Sequence, residues 1–99
     1  MDRYKIGMLA KSKAGHDFEK IYVIVGADQS YVYLADGKIR PLDNPKKKKK
    51  KHVQIICKEY NIENADDAAI RRIIKEWKKE ELSGEINKLY KITNKRKNN

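Results

Sequence analysis

Six consecutive lysines, Lys46–Lys51 in the stretch PKKKKKKH, constrain this chain more than any other feature. Like charges in a row repel one another and salt screens only part of that repulsion, so the segment is expected to stay extended until an anion neutralises it. It stands between two segments that look like strands, and a loop tethered at both ends reads as a working surface. A solvated spacer without a binding role is the competing reading, and the flanking sequence has to decide between them.

The charge is concentrated in this run. The chain has 99 residues and a formal net charge of +10, of which residues 1–45 contribute +1, the lysines +6 and residues 53–99 the remaining +3. A local patch in an otherwise balanced chain points to a phosphate-docking site, where uniform basicity would speak of solubility. The length allows one small domain with an appendage. Cys57 is the only cysteine, so no intrachain disulfide and no thiolate zinc cluster can form, which fits a reducing cytoplasm. The start MDRYKIGMLAKSKAG lacks a signal-peptide core, and no run approaches the roughly 20 apolar residues of a membrane span.

Short β-prone runs punctuated by glycine fill the first half. Tyr4 to about Ser12 alternates Ile6, Met8 and Ala10 around Gly7, and Lys20–Val25 is rich in β-branched and aromatic residues. Asp36-Gly37 lies between SYVYLA and KIRPL and predicts a two-residue hairpin. In that register Leu34 pairs with Ile39, Tyr33 with Arg40, and Tyr31, Tyr33, Lys38 and Arg40 share a wet, basic-aromatic face. Pro41 would end that strand or put it at an edge. His52–Cys57 reads as a fifth strand, with Val53, Ile55 and Cys57 on one face. Five short strands in under sixty residues imply a mainly β fold, a small closed barrel.

The period then changes. Asn64 is a plausible N-cap, Asp66 and Asp67 follow in the first turn, and Ile70, Ile73, Ile74 and Trp77 recur at helical spacing. This predicts an amphipathic C-terminal α-helix from Ala65 to about Glu81, ended by Ser83-Gly84, with a short helix in EINKLYKI. The predicted organisation is a barrel over 1–57 with a lysine loop at 45–52, a helical appendage over 58–92, and a disordered basic tail over 93–99.

IGMLAKSKAGHD, IYVIV and YVYLADGKIRPLDNPKKKKKKH, in that order, resemble the small KOW-domain RNA-binding proteins of bacteria. These are similar to the KOW domains of large-subunit ribosomal proteins of archaea and eukaryotes. The resemblance covers roughly residues 4–56, with the KOW motif at about residues 6–25 and Gly7 and Gly15 on its glycine positions. It implies a five-stranded SH3-like barrel whose loops lie against RNA, commonly ribosomal RNA, with ribosomal proteins as further partners. Phe18-Glu19 departs from the pattern, and residues 58–99 resemble no family.

The expected RNA-binding residues are Lys46, Lys47, Lys48, Lys49, Lys50, Lys51 and His52, with Arg40, Lys38, Tyr33, Lys11, Lys13 and His16 beside them. Neutralising about five phosphates with the lysines would cost roughly a thousandfold in affinity over a fourfold rise in salt. Tyr31 and Tyr33 read either as a stacking platform for bases or as rings lying over the barrel. Lys11, Lys13 and His16 read either as phosphate contacts or as ordinary surface charge. The isoleucines and Trp77 read as core under the helix, or as a face that docks a partner protein. No nucleophile has a recognisable base and no metal or nucleotide motif appears, so neither catalysis nor a cofactor is expected. The leading expectation is a monomeric, cytoplasmic, ribosome-associated RNA-binding protein without a small-molecule substrate or a membrane. A protein-interaction module on the transcription or translation machinery is the alternative.

Overall fold

The computed structural model describes residues 3–13 and 20–93, with side chains described as far as Leu82 apart from that of Cys57. His16, Gly15 and Phe18-Glu19 lie outside the described residues, as does the expected disordered tail except for Thr93. Five strands form one curled antiparallel sheet: β1 (Met8–Ser12), β2 (Ile21–Ala27), β3 (Tyr31–Ala35), β4 (Lys46–Lys49) and β5 (Val53–Glu59). Their order is β4-β3-β2-β1-β5, and a 3-10 turn over Lys50–His52 joins the two edge strands. One helix, α1 (Asp67–Thr93), follows. The architecture is a small SH3-like barrel with a C-terminal helix, the mainly β fold that was expected, but the barrel is half-open where the strand pattern implied a closed one, because β4 and β5 at the two edges do not pair.

The sheet is buried on both faces, which is why β2 reads as an unbroken apolar run. Ala10, Tyr22, Ile24, Val32, Leu34 and Val53 fill the barrel interior, with Tyr4, Met8 and Ile55 packed against them. The alternate residues Leu9, Ile21 and Val23 face outward, where Ile70 and Ile74 of α1 cover them. Ile73 and Trp77 pack at the margin of this second cluster. The helical repeat of isoleucines is therefore core, closing the outer face of β1 and β2.

The first strand is shorter than expected. A turn closed by Met8 N–H donating to the Lys5 carbonyl precedes it, so Ile6 leaves the alternation and is 55% exposed. Gly7 causes this: at φ +96° its amide donates to the Ile24 carbonyl and its carbonyl accepts from Tyr60 N–H, each at 2.8 Å. A Cβ there would lie 2.1 Å from the Tyr60 carbonyl oxygen, so the close approach admits glycine alone.

The predicted hairpin does not form. β3 pairs with the lysines, in the register Leu34↔Lys46, Tyr33↔Lys47, Val32↔Lys48 and Tyr31↔Lys49. The lysine segment is thus a strand, where a loop was expected, and residues 36–45 are the loop. Asp36-Gly37 does turn the chain, with Asp36 Oδ1 accepting from the amides of Lys38 and Arg40 and the Arg40 carbonyl accepting from those of Asp36 and Gly37. The returning residues then leave β3 because the turn docks on α1. Gly37, at φ +76°, presents its carbonyl to Arg71 Nη1, and Asp67 Oδ1 accepts from Leu42 N–H at 2.8 Å. Two contacts with the helix outweigh the local hairpin preference.

The helix also departs from expectation. Its cap is Asp66, whose Oδ1 accepts from Ala69 N–H at 2.9 Å, while Asn64 sits two residues earlier in a left-handed conformation at φ +60°. Ser83-Gly84 does not end it, and α1 runs unbroken to Thr93. A single glycine costs about 1 kcal/mol in a helix, too little to stop one that good helix formers flank on both sides.

Candidate nucleic-acid interface

Lysine has low β-propensity, yet it suits an edge strand, where a charged row blocks pairing with another sheet. β4 holds an edge of the sheet. Strand alternation then sorts the run into two sets. Lys46 and Lys48 oppose Leu34 and Val32, lie on the barrel-interior side, and are half-buried. Lys47 and Lys49 oppose Tyr33 and Tyr31 on the outer side and are exposed.

The outer set is organised by aromatic rings. Lys47 Nζ stands 4.3 Å from the centroid of the Tyr31 ring. The Tyr33 hydroxyl donates to Asp28 Oδ2 at 2.8 Å, and Asp28 Oδ1 accepts from the amides of Ser30 and Tyr31. One carboxylate thereby shapes the β2–β3 turn and fixes the tilt of Tyr33. The Tyr33 hydroxyl, then the Tyr31 amide, hold the Asp28 carboxyl below the usual carboxylate range, and the same bond raises the Tyr33 phenol. Lys51, past the end of β4, returns to this side, where Ser30, Tyr31, Lys49 and Lys51 line a shallow pocket of about 450 Å³.

Lys50 turns the other way. Its Nζ lies 5.2 Å from the Tyr4 ring centroid, and its carbonyl accepts from the Tyr4 hydroxyl at 3.2 Å, fastening the first residues to the 3-10 turn. Lys13 N–H donates to the His52 carbonyl at 2.9 Å, so the end of β1 and the end of the lysine run are neighbours. Lys11, opposite Gln54 in β5, is half-buried.

Of the residues expected to act together, the fold gathers Lys47, Lys49 and Lys51 around Tyr31 and Tyr33, with Lys13 and His52 at the far end of the run. It separates Lys38 and Arg40 from them, because both sit in the 36–45 loop beside α1. The Tyr31/Tyr33/Lys38/Arg40 face is therefore replaced by a Tyr31/Tyr33/Lys47/Lys49 face. Tyr4, Ser30 and Asp28 were not foreseen as parts of this surface. Asp28 carried a signal, since an aspartate two residues before a turn amide commonly makes an Asx-turn.

Among the described residues no three histidine, cysteine or acidic side chains converge as metal ligands, and no helix is long and apolar enough to cross a membrane. Compared with known protein families and with curated proteins, the chain matches none.

Proposed function

We propose that this protein binds RNA through the outer face of its lysine strand, as a KOW-type barrel working on the ribosome in the cytoplasm. One observation carries the reading: Lys47 and Lys49 stand on the outer side of an edge strand opposite Tyr33 and Tyr31, Lys47 lies over the Tyr31 ring, and Lys51, just past the strand's end, lines the same side. Lys47 and Lys49 are two residues apart on one strand face, about 7 Å. At that distance two cations repel by about 0.6 kcal/mol in water, and a bound phosphate between them removes the repulsion.

The chemistry of the row favours shape over sequence. Lysine is a point charge without a bidentate fork, so it positions a backbone and reads few bases. Helical RNA, recognised through phosphates and 2′-hydroxyls, suits such a surface. Tyr31 orients Lys47 and does not offer a bare ring, since a cation already covers its face. A cation–π contact of about 0.5–1 kcal/mol is enough to bias a mobile lysine toward one direction. The alternative, docking of a partner protein through α1 around Trp77, has no comparable support, because Ile70 and Ile74 are buried and Trp77 packs against the same cluster.

Strand alternation lowers the expected number of phosphate contacts from about five to about three. Replacing Lys47, Lys49 and Lys51 by Gln is then expected to flatten the slope of log Kd against log salt by about 2 to 3 on a structured RNA, with the thermal melt unchanged. A slope equal to that of the wild type would remove this surface from the account.

A further inference from the structure

Lys38, displaced from the predicted face by the failed hairpin, comes to lie among cations of other segments. Lys38 in the 36–45 loop, Lys20 ahead of β2, and Arg71, Lys75 and Lys78 of α1 line a groove of about 400 Å³ whose floor is Ile21 and Ile74. Five cations from three segments face one carboxylate, Asp36, and its Oδ1 is engaged by two backbone amides.

The helix sorts its charge toward this groove. Arg71, Lys75 and Lys78 fall within about 60° of one another around the axis, whereas Glu80 lies on the opposite side. There Glu80 pairs with Lys58 of β5. Like charges spaced i,i+4 and i,i+3 destabilise a helix by about 0.2–0.5 kcal/mol per pair, so this stripe opposes folding of α1. Among the described residues Lys38, Lys75 and Lys78 form no ion pair that would offset it. Asp67, one turn before Arg71, is turned to the Leu42 amide. Arg71 is held in place by the Gly37 carbonyl and keeps further N–H donors for an acceptor. Cations above an apolar floor in a concave surface focus positive potential, which suits a string of phosphates.

We propose that this groove is a second phosphate-binding surface, taking another stretch of the RNA backbone than the one the lysine strand holds. The inference rests on the RNA-binding reading above. The two surfaces adjoin opposite ends of β3, Tyr31 at one end and Asp36 at the other, about 17 Å apart along the strand. An RNA of a few nucleotides fills one of them, and a hairpin spans both.

The test compares three triple variants of the full chain on one RNA hairpin across a salt series. They are Lys38→Gln/Lys75→Gln/Lys78→Gln in the groove, Lys47→Gln/Lys49→Gln/Lys51→Gln in the strand, and Arg3→Gln/Arg72→Gln/Lys79→Gln as a control of equal charge. All nine residues are exposed, so the fold is retained and circular dichroism checks it. The expected result is that groove and strand variants each lose about 20- to 40-fold less affinity than wild type between 50 and 200 mM salt, and that the control does not. A groove variant that behaves as wild type while the strand variant weakens overturns the groove and leaves the RNA reading standing. Equal effects of groove and control variants also overturn it, by reducing it to net charge. Failure of the wild type to bind the hairpin removes both readings. Wild-type binding of a phosphoserine peptide that the groove variant loses, with RNA binding unaffected, assigns the groove to a phosphoprotein and overturns it as an RNA surface.

Discussion

At the scale of single residues, Asp28 and Gly37 carry more of the fold than their exposure or size suggests. Asp28 shapes the β2–β3 turn and accepts from Tyr33, so its carboxyl sits below the ordinary range. A lowered folded pKa means a stabilising contribution that is complete above the unfolded value near 4 and is lost as pH falls through the lower, folded value. The Tyr33 phenol is raised by the same bond, so its contribution is complete below about 10 and is lost as pH rises through the folded value. We expect the Tyr33 ring to titrate above the ordinary tyrosine value of about 10 by NMR, and Asp28→Asn to bring it back toward that value. Unchanged titration in that variant would break the link between the two residues. Gly37 is held at φ +76°, and a Cβ there would meet the Asp67 carbonyl oxygen at 2.3 Å. Gly37→Ala is expected to cost about 2–3 kcal/mol from strain and clash together, read as a fall in denaturant midpoint.

At the scale of elements, β4 and the 36–45 loop exchange the roles that local reasoning assigns them. Uniform lysine has no alternation, so period-based reading cannot detect a strand in it, and Asp-Gly is a strong local signal with no knowledge of the helix thirty residues on. Contacts distant in the chain decide both: the register of Tyr31–Leu34 with Lys46–Lys49, and the bonds of Gly37 to Arg71 and Leu42 to Asp67. β5 and the isoleucine face of α1 were legible because burial on a defined face leaves a period in the sequence, and β2 because burial on both faces leaves a β-branched apolar run. The loop's docking has a measurable consequence. Asp67→Ala removes a partly buried acceptor of the Leu42 amide, and is expected to destabilise by about 1.5–3 kcal/mol and to speed amide exchange in residues 36–45. Wild-type exchange rates in that loop would mean that Asp67 does not hold it.

At the scale of the whole molecule, the helix and the barrel share an apolar core. Ile70 is fully buried against Leu9, Ile21 and Val23, so Ile70→Ala is expected to cost about 2–5 kcal/mol and to lower the melting of the β-sheet and of α1 together. A sheet that melts as in wild type would make α1 an independent appendage. That packing leaves Lys47, Lys49 and Lys51 on the outer side of the lysine strand and Lys38, Lys75 and Lys78 in the groove beside α1. The candidate site was legible in part: the lysine run marks where positive charge is concentrated, but only the strand pairing tells which of the lysines share a face, and only the fold separates Lys38 and Arg40 from Tyr33. The most direct test of the central claim is an NMR titration of the labelled protein with a structured RNA, followed residue by residue. The largest shifts are expected at Ser30, Tyr31, Tyr33, Lys47, Lys49 and Lys51. Shifts confined to the surface of α1 around Trp77, with β4 unmoved, would contradict it.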